Sequence, residues 1–257
     1  MTDTVLHRRR GLPDGWMHIV EEGVAIWQVL DAGEREVLEA TSDWLLRHKH
    51  WEAARGFALD DEITVTIAMQ AAVLVLGLSV DEYREVGAII VYPTAMQSRG
   101  VYAGPVRGTV TDGVIPVLGE AHDRRGPVLL AWDQTRDAAR SPGRGHNVVY
   151  HEFAHKLDML DDMTDGTPPL ESKEQLARWI DVCTETYAAL REGIPRPPLD
   201  PYGGAAPAEF FAVATETFFD APLALEQNER AVFEVLCDFY KQDPAERARR
   251  ARRRSVQ

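Results

Sequence analysis

Two histidines four residues apart, with a glutamate beside the first, stand out in this 257-residue chain as a set able to do chemistry: His151-Glu152-Phe153-Ala154-His155. On a helix, positions i and i+4 share a face one turn apart. Two imidazoles at that spacing can grip one metal ion. Glu152 stands next to them without being a ligand, where its carboxylate can reach a water that the metal activates. Zinc suits such a set, because three protein ligands leave the fourth tetrahedral position to water. The apolar neighbours Val148, Val149, Phe153, Ala154 and Leu157 imply a partly buried helix, and a buried His-Glu-His set needs a partner.

The third ligand must come from elsewhere. None of His7, His18, His48, His50, His122 and His146 stands six residues after His155, where Asp161 is found, so the HExxHxxGxxH form is excluded. The glutamates of AEFFAVATETFF, Glu209 and Glu216, are the candidates. They share a helix face but lie about 10 Å apart along its axis, so the pair divides into one ligand and one supporting or structural group. Asp158, three residues after His155, is a candidate acceptor for that histidine's other ring N–H. Cys183 and Cys237 lie among apolar residues and read as core.

These residues need elements to hold them. Helical spacing of apolar residues predicts helices over about 33–50, 60–77, 147–160, 170–193, 208–219 and 232–240. Asn147 is placed to cap the third of these and Pro207 to start the fifth. VGAIIVYP (86–93) and GPVLLAW (126–132) read as strands, and residues 106–120 as a hairpin around Asp112-Gly113. The expected fold is α+β, mostly helical with a small sheet of three or four strands. The expected organisation is a loosely held segment over 1–20, one domain over 21–245, and a basic tail over 246–257.

Composition narrows the function classes. Apolar residues make up 45% and charged residues 27%, ordinary values for a globular protein, and two cysteines cannot build a disulfide scaffold. The net charge is −13; setting aside the six arginines between Arg247 and Arg254 leaves −19 for the rest. A body this acidic argues against direct nucleic-acid binding. The longest apolar stretch, 63–78, is too short and too interrupted to span a bilayer and reads as a buried helix. No secretory leader is visible, so a cytoplasmic location is expected.

HEFAHKLDML, then YGGAAPAEFFAVATETFF about fifty residues later, then FEVLCDFYKQDP, together resemble the Mlc titration factor A family of zinc peptidases. GFALDDE, VYP and GPVLLAW upstream fit the same pattern, so the resemblance covers most of residues 50–245. It implies a gluzincin-type metallopeptidase, possessing a glutamate-bearing helix packed on the HExxH helix and a core similar to the anthrax lethal factor protease domain. It implies one zinc ion held by His151, His155 and Glu209, Glu152 as general base, and Tyr202 as a transition-state hydrogen-bond donor. It also implies a peptide or protein substrate, aminopeptidase-like activity, and binding of a transcriptional repressor. The segments HRRRGLPDGW and ERARRARRR lie outside the resemblance. Two other functions compete with peptide hydrolysis: a regulatory protein that sequesters a transcription factor and keeps the zinc site, and a hydrolase of non-peptide amides.

Overall fold

The computed structural model describes residues 11–54, 56–94, 102–103, 110–111 and 124–255. Its frame is helical. The first helices are α1 (Trp16–Gly23), α2 (Ala32–His48) and α3 (Asp61–Leu74). Asp31 starts α2 with a capping box: its side chain accepts the Glu34 N–H at 3.0 Å, and Glu34 accepts the Asp31 N–H at 2.8 Å. Asp60 caps α3 by accepting the N–H of Ile63 at 2.9 Å. Every residue from Ile63 to Leu74 is buried, because α3 is enclosed by α1, α2, α4 (Trp132–Arg140) and α5 (Val148–Asp158). That accounts for its apolar run without a bilayer. Among the described residues no helix is long and apolar enough to cross a membrane.

A three-stranded parallel sheet lies beside these helices, in the order β1 (His50–Ala53), β2 (Ala88–Tyr92), β5 (Val128–Ala131). Trp51 pairs with Ile89, and Ile89 with Val128. β1 was not expected: four residues reading His-Trp-Glu-Ala carry little periodicity. β3 (Tyr102–Ala103) and β4 (Val110–Thr111) form a separate antiparallel pair. The turn expected at Asp112-Gly113 lies outside the described residues.

The second half is α6 (Lys173–Arg191), α7 (Pro207–Asp220), α8 (Pro222–Asn228), α9 (Arg230–Tyr240) and α10 (Pro244–Ser255). The side of α7 that carries Phe211, Thr215 and Phe218 packs into an aromatic cluster. Phe211 sits 5.7 Å from Trp179 and 5.8 Å from Phe239, centroid to centroid, and Phe218 sits 5.6 Å from Tyr240. The Thr215 and Tyr240 hydroxyls meet at 2.8 Å, so the buried polar pair is satisfied. Phe211→Ala is expected to cost about 3–5 kcal/mol of unfolding free energy, the range for emptying a phenylalanine site in a packed core, read from the shift in denaturant midpoint.

Among the described residues, the stretches nearest the two ends are helical. Trp16–Gly23 is helical and buries Val20. The arginine segment lies in helix α10. Its Arg247 is 4% exposed, with Nε donating to Glu34 Oε1 and Nη2 to Gln242 Oε1, both at 2.9 Å. Arg250 donates to the other Glu34 oxygen at 2.7 Å, and Arg249 pairs with Glu226. The physical reason is the acidity of the body. A helix carrying one basic side docks where α2 and α8 present carboxylates, and the start of α10 adds buried Ala245.

Candidate metal centre

α5 and α7 pack against each other and hold the chemistry between them. α5 begins where Asn147 accepts the N–H groups of Val149 (3.0 Å) and Tyr150 (3.1 Å), as an N-cap should. Its side-chain amide in turn donates to Gln70 of α3 at 2.8 Å, which pins the helix start to the buried core. α7 begins at Pro207, and a loop is pressed on that start. Gly166 has φ +77°, and a Cβ there would lie 2.3 Å from the Pro207 carbonyl oxygen. Only glycine meets both demands. Asp158 Oδ2 accepts the Gly166 N–H at 3.1 Å, so the end of α5 is tied to the loop that seats α7.

The pairing of helices brings His151, His155 and Glu209 to one point. The two Nε2 atoms are 3.2 Å apart. Glu209 Oε2 is 3.2 Å from His151 Nε2, and Oε1 is 3.7 Å from His155 Nε2. Glu216, two turns further along α7, sits on the opposite nitrogen of His151, with Oε1 2.7 Å from Nδ1. Its Oε2 accepts the Asn147 backbone N–H at 2.6 Å. A carboxylate can only accept, so Nδ1 of His151 carries a hydrogen, and Nε2 is the nitrogen turned toward the cluster.

This arrangement fits a metal ion. Ligand atoms held 2.0–2.1 Å from an ion in a tetrahedron stand about 3.3 Å from one another, close to the spacings seen here. Among the described residues Glu209 Oε2 is buried without a hydrogen bond, although His151 Nε2 stands 3.2 Å from it. The electrostatics demand positive charge at the same place. Burial opposes a charged His151, yet Glu209 and Glu216 outweigh it and raise its pKa well above the usual imidazole value. Burial also pushes the Glu209 carboxyl up, but the two histidines more than reverse this and hold it far below the ordinary carboxylate range. Glu152 is 7% exposed, and its pKa is raised by burial, with His151 and His155 opposing.

Tyr202 is brought to the edge of the cluster. It sits in the 3-10 turn Pro201–Gly204, with its ring centroid 6.3 Å from that of His151. Asp158 is not joined to His155 as expected. Among the described residues its Oδ1 and the His155 Nδ1 are both buried without a hydrogen bond, and Oδ2 goes to Gly166 instead. The loop competes for the carboxylate, and no local sequence pattern announces that loop. Cys183 is buried and Cys237 half-buried; both are free thiols away from the cluster. Sequence reading missed the role of Asp220, whose Oδ2 accepts the N–H groups of Gly143 (2.9 Å) and Gly145 (2.6 Å) and so ties the loop before α5 to the end of α7.

Glu216→Ala is expected to leave the site able to load metal at saturation but to weaken affinity about 10–100-fold, as loss of an outer partner does. It also strands the Asn147 N–H, at about 1–3 kcal/mol of stability. Competition with a chelator and a denaturant titration read the two effects separately.

A buried His–His–Glu cluster on two packed helices, one of them an HExxH helix, defines a candidate mononuclear metal protein. The family follows from the sequence as a whole: the chain belongs to the glucose-regulated metallo-peptidase M90 family, whose model matches residues 2–241. An uncharacterized protein of Synechocystis sp. is 35% identical over 240 residues, covering 92% of this chain and 86% of its own. Mlc titration factor A of Salmonella typhi is 29% identical over 235 residues, covering 86% and 83%. Mlc titration factor A of Yersinia pestis is 29% identical over 227 residues, covering 86% and 82%. Family and cluster together point to a metal ion.

Proposed function

We propose that this protein is a cytoplasmic zinc metallopeptidase that hydrolyses peptide bonds in an aminopeptidase-like manner. The observation that carries the reading is the convergence of His151, His155 and Glu209 beside a non-ligating Glu152, in a chain of a metallo-peptidase family. His151, His155 and Glu209 would hold the ion. Zinc, when bound, supplies Lewis acidity that makes water nucleophilic near neutral pH and polarises a carbonyl. Glu152 takes a proton from the attacking water and delivers it to the departing amine. Its buried setting favours both transfers, because a carboxyl with a raised pKa holds the proton between them. Tyr202 donates a hydrogen bond as negative charge builds on the carbonyl oxygen. Glu216 keeps the His151 ring turned so that Nε2 faces the ion. Likeness to the anthrax lethal factor protease core belongs to the same proposal.

The test is metal analysis of protein purified without chelator, combined with a peptide-library cleavage assay. One zinc per chain and chelator-sensitive cleavage are expected. Protein without metal, or full cleavage in chelator, overturns the reading.

A second reading is favoured by the name of the Salmonella and Yersinia relatives, Mlc titration factor A. In it, this chain binds a transcriptional repressor, and the site contributes little or no proteolysis. A metal-loaded protein that cleaves no library peptide but forms a stable complex with such a repressor would select it.

A further inference from the structure

A chain of hydrogen bonds joins the metal cluster to the middle of the core, and it starts at Gln70 of α3. We propose that Gln70 is a positioning residue for the metal centre: its buried amide fixes Asn147, and Asn147 fixes both the backbone and the ring of His151. The inference rests on the reading of His151, His155 and Glu209 as metal ligands, and adds a residue remote from the ion to those that set its affinity.

Gln70 is 1% exposed and lies in the run of α3 that is buried throughout. An amide in such a place lowers stability unless its hydrogen bonds are made. Here both of its ends are bonded. Nε2 donates to the carbonyl of Thr66, one turn earlier, at 3.3 Å, and to that of Thr135 in α4 at 3.4 Å. Oε1 accepts the Asn147 side-chain N–H at 2.8 Å. Two carbonyls can only accept, so the amide has one orientation, with its NH2 toward Thr66 and Thr135 and its oxygen toward Asn147. Asn147 is thereby oriented as well. Its NH2 faces Gln70, which leaves Oδ1 for the N–H groups of Val149 and Tyr150.

Both backbone groups of Asn147 lead to His151. The Asn147 carbonyl accepts the His151 N–H at 3.0 Å. The Asn147 N–H donates to Glu216 Oε2 at 2.6 Å, and the other oxygen of that carboxylate holds His151 Nδ1 at 2.7 Å. A displaced Asn147 would therefore move the start of α5 and the carboxylate that orients the ring together. A displacement of about 0.5 Å is enough to spoil a constellation of ligands. Filling the space does not explain the amide, because an apolar side chain of similar length would do so without burying polar atoms. The shortest of the three Gln70 bonds is the one that leaves α3 for Asn147.

Gln70→Met keeps nearly the same side-chain length and removes the hydrogen bonds. Zinc affinity of the full chain, measured by competition with a chelator, is expected to fall about threefold to tenfold, at or below the low end for losing a direct partner of a ligand. The visible absorption of the cobalt(II)-substituted protein should change as well, because it reports ligand geometry, which a merely structural loss leaves alone. Val65→Ala, at another buried position of α3, is the comparison. It should lower the melting temperature and leave zinc affinity and the cobalt spectrum as in the unaltered protein. Asn147→Ser keeps a capping oxygen but loses the amide that reaches Gln70, so it should weaken zinc even where Gln70→Met fails to fold. Adding Gln70→Met to Asn147→Ser should cost no further affinity, since the bond between the two is already gone. Unchanged zinc affinity in Gln70→Met or in Asn147→Ser, an equal loss in Val65→Ala, or a full additional loss in the double variant would overturn this proposal alone. Unaltered protein that binds no zinc would overturn the metal reading, and this proposal with it.

Discussion

Glu152→Gln is expected to bind zinc as the unaltered protein does and to lose hydrolysis by about 10²–10⁴-fold, the usual weight of a positioned general base. The amide fills nearly the same space in a site where Glu152 is 7% exposed, so the two packed helices need not move. What disappears is the proton acceptor. Burial opposes the ionised Glu152 carboxylate more than His151 and His155 favour it, so the neutral amide should be no less stable. Metal analysis, a melting curve and turnover on a library-selected peptide separate these effects. Unchanged turnover would remove Glu152 from the chemistry.

His155→Ala is expected to abolish metal binding and hydrolysis together. Loss of an outer partner weakens metal about 10–100-fold, and loss of one of three direct ligands should exceed that. The change also removes a positive or polarisable neighbour from Glu209, whose low pKa depends on His151 and His155. The variant should therefore melt at lower temperature, most clearly when compared with metal-loaded unaltered protein. Equilibrium dialysis gives the affinity directly. One tightly held zinc per His155→Ala chain would dismantle the proposed ligand set.

Much of the site was legible because it is local. The HExxH spacing places two imidazoles on one face wherever the segment is helical, and helix formation over Val148–Asp158 follows from its apolar spacing and its Asn147 cap. The long buried helices read equally well: α3 starts at its Asp60 cap, and α7 starts at Pro207, as their sequences indicate. Two glutamates seven residues apart on α7 already implied that only one could reach an ion.

Less local features were not legible. β1 exists because parallel pairing with β2 satisfies four residues of backbone that carry no strong strand pattern of their own. Asp158 turned from His155 to the Gly166 loop because that loop must close over the start of α7. The arginines of α10 docked because Glu34 and Glu226, distant or separate in sequence, were waiting in the fold.

By itself, then, the amino-acid order determined which side chains share a helix face, since rise and turn per residue are properties of the backbone. It also determined the candidate chemistry, since ligand type depends on side-chain identity. The resemblance already implied Glu209 as the ligand; only the tertiary structure decided the depth at which Glu209 meets the Nε2 atoms while Glu216 takes Nδ1 of His151. The two helices are joined by 48 residues, from Met159 to Ala206, and nothing in either helix alone sets their relative depth. That depth comes from contacts made across the fold: Asn147 to Glu216 and to Gln70, Asp220 to the glycine loop, and the aromatic cluster behind α7.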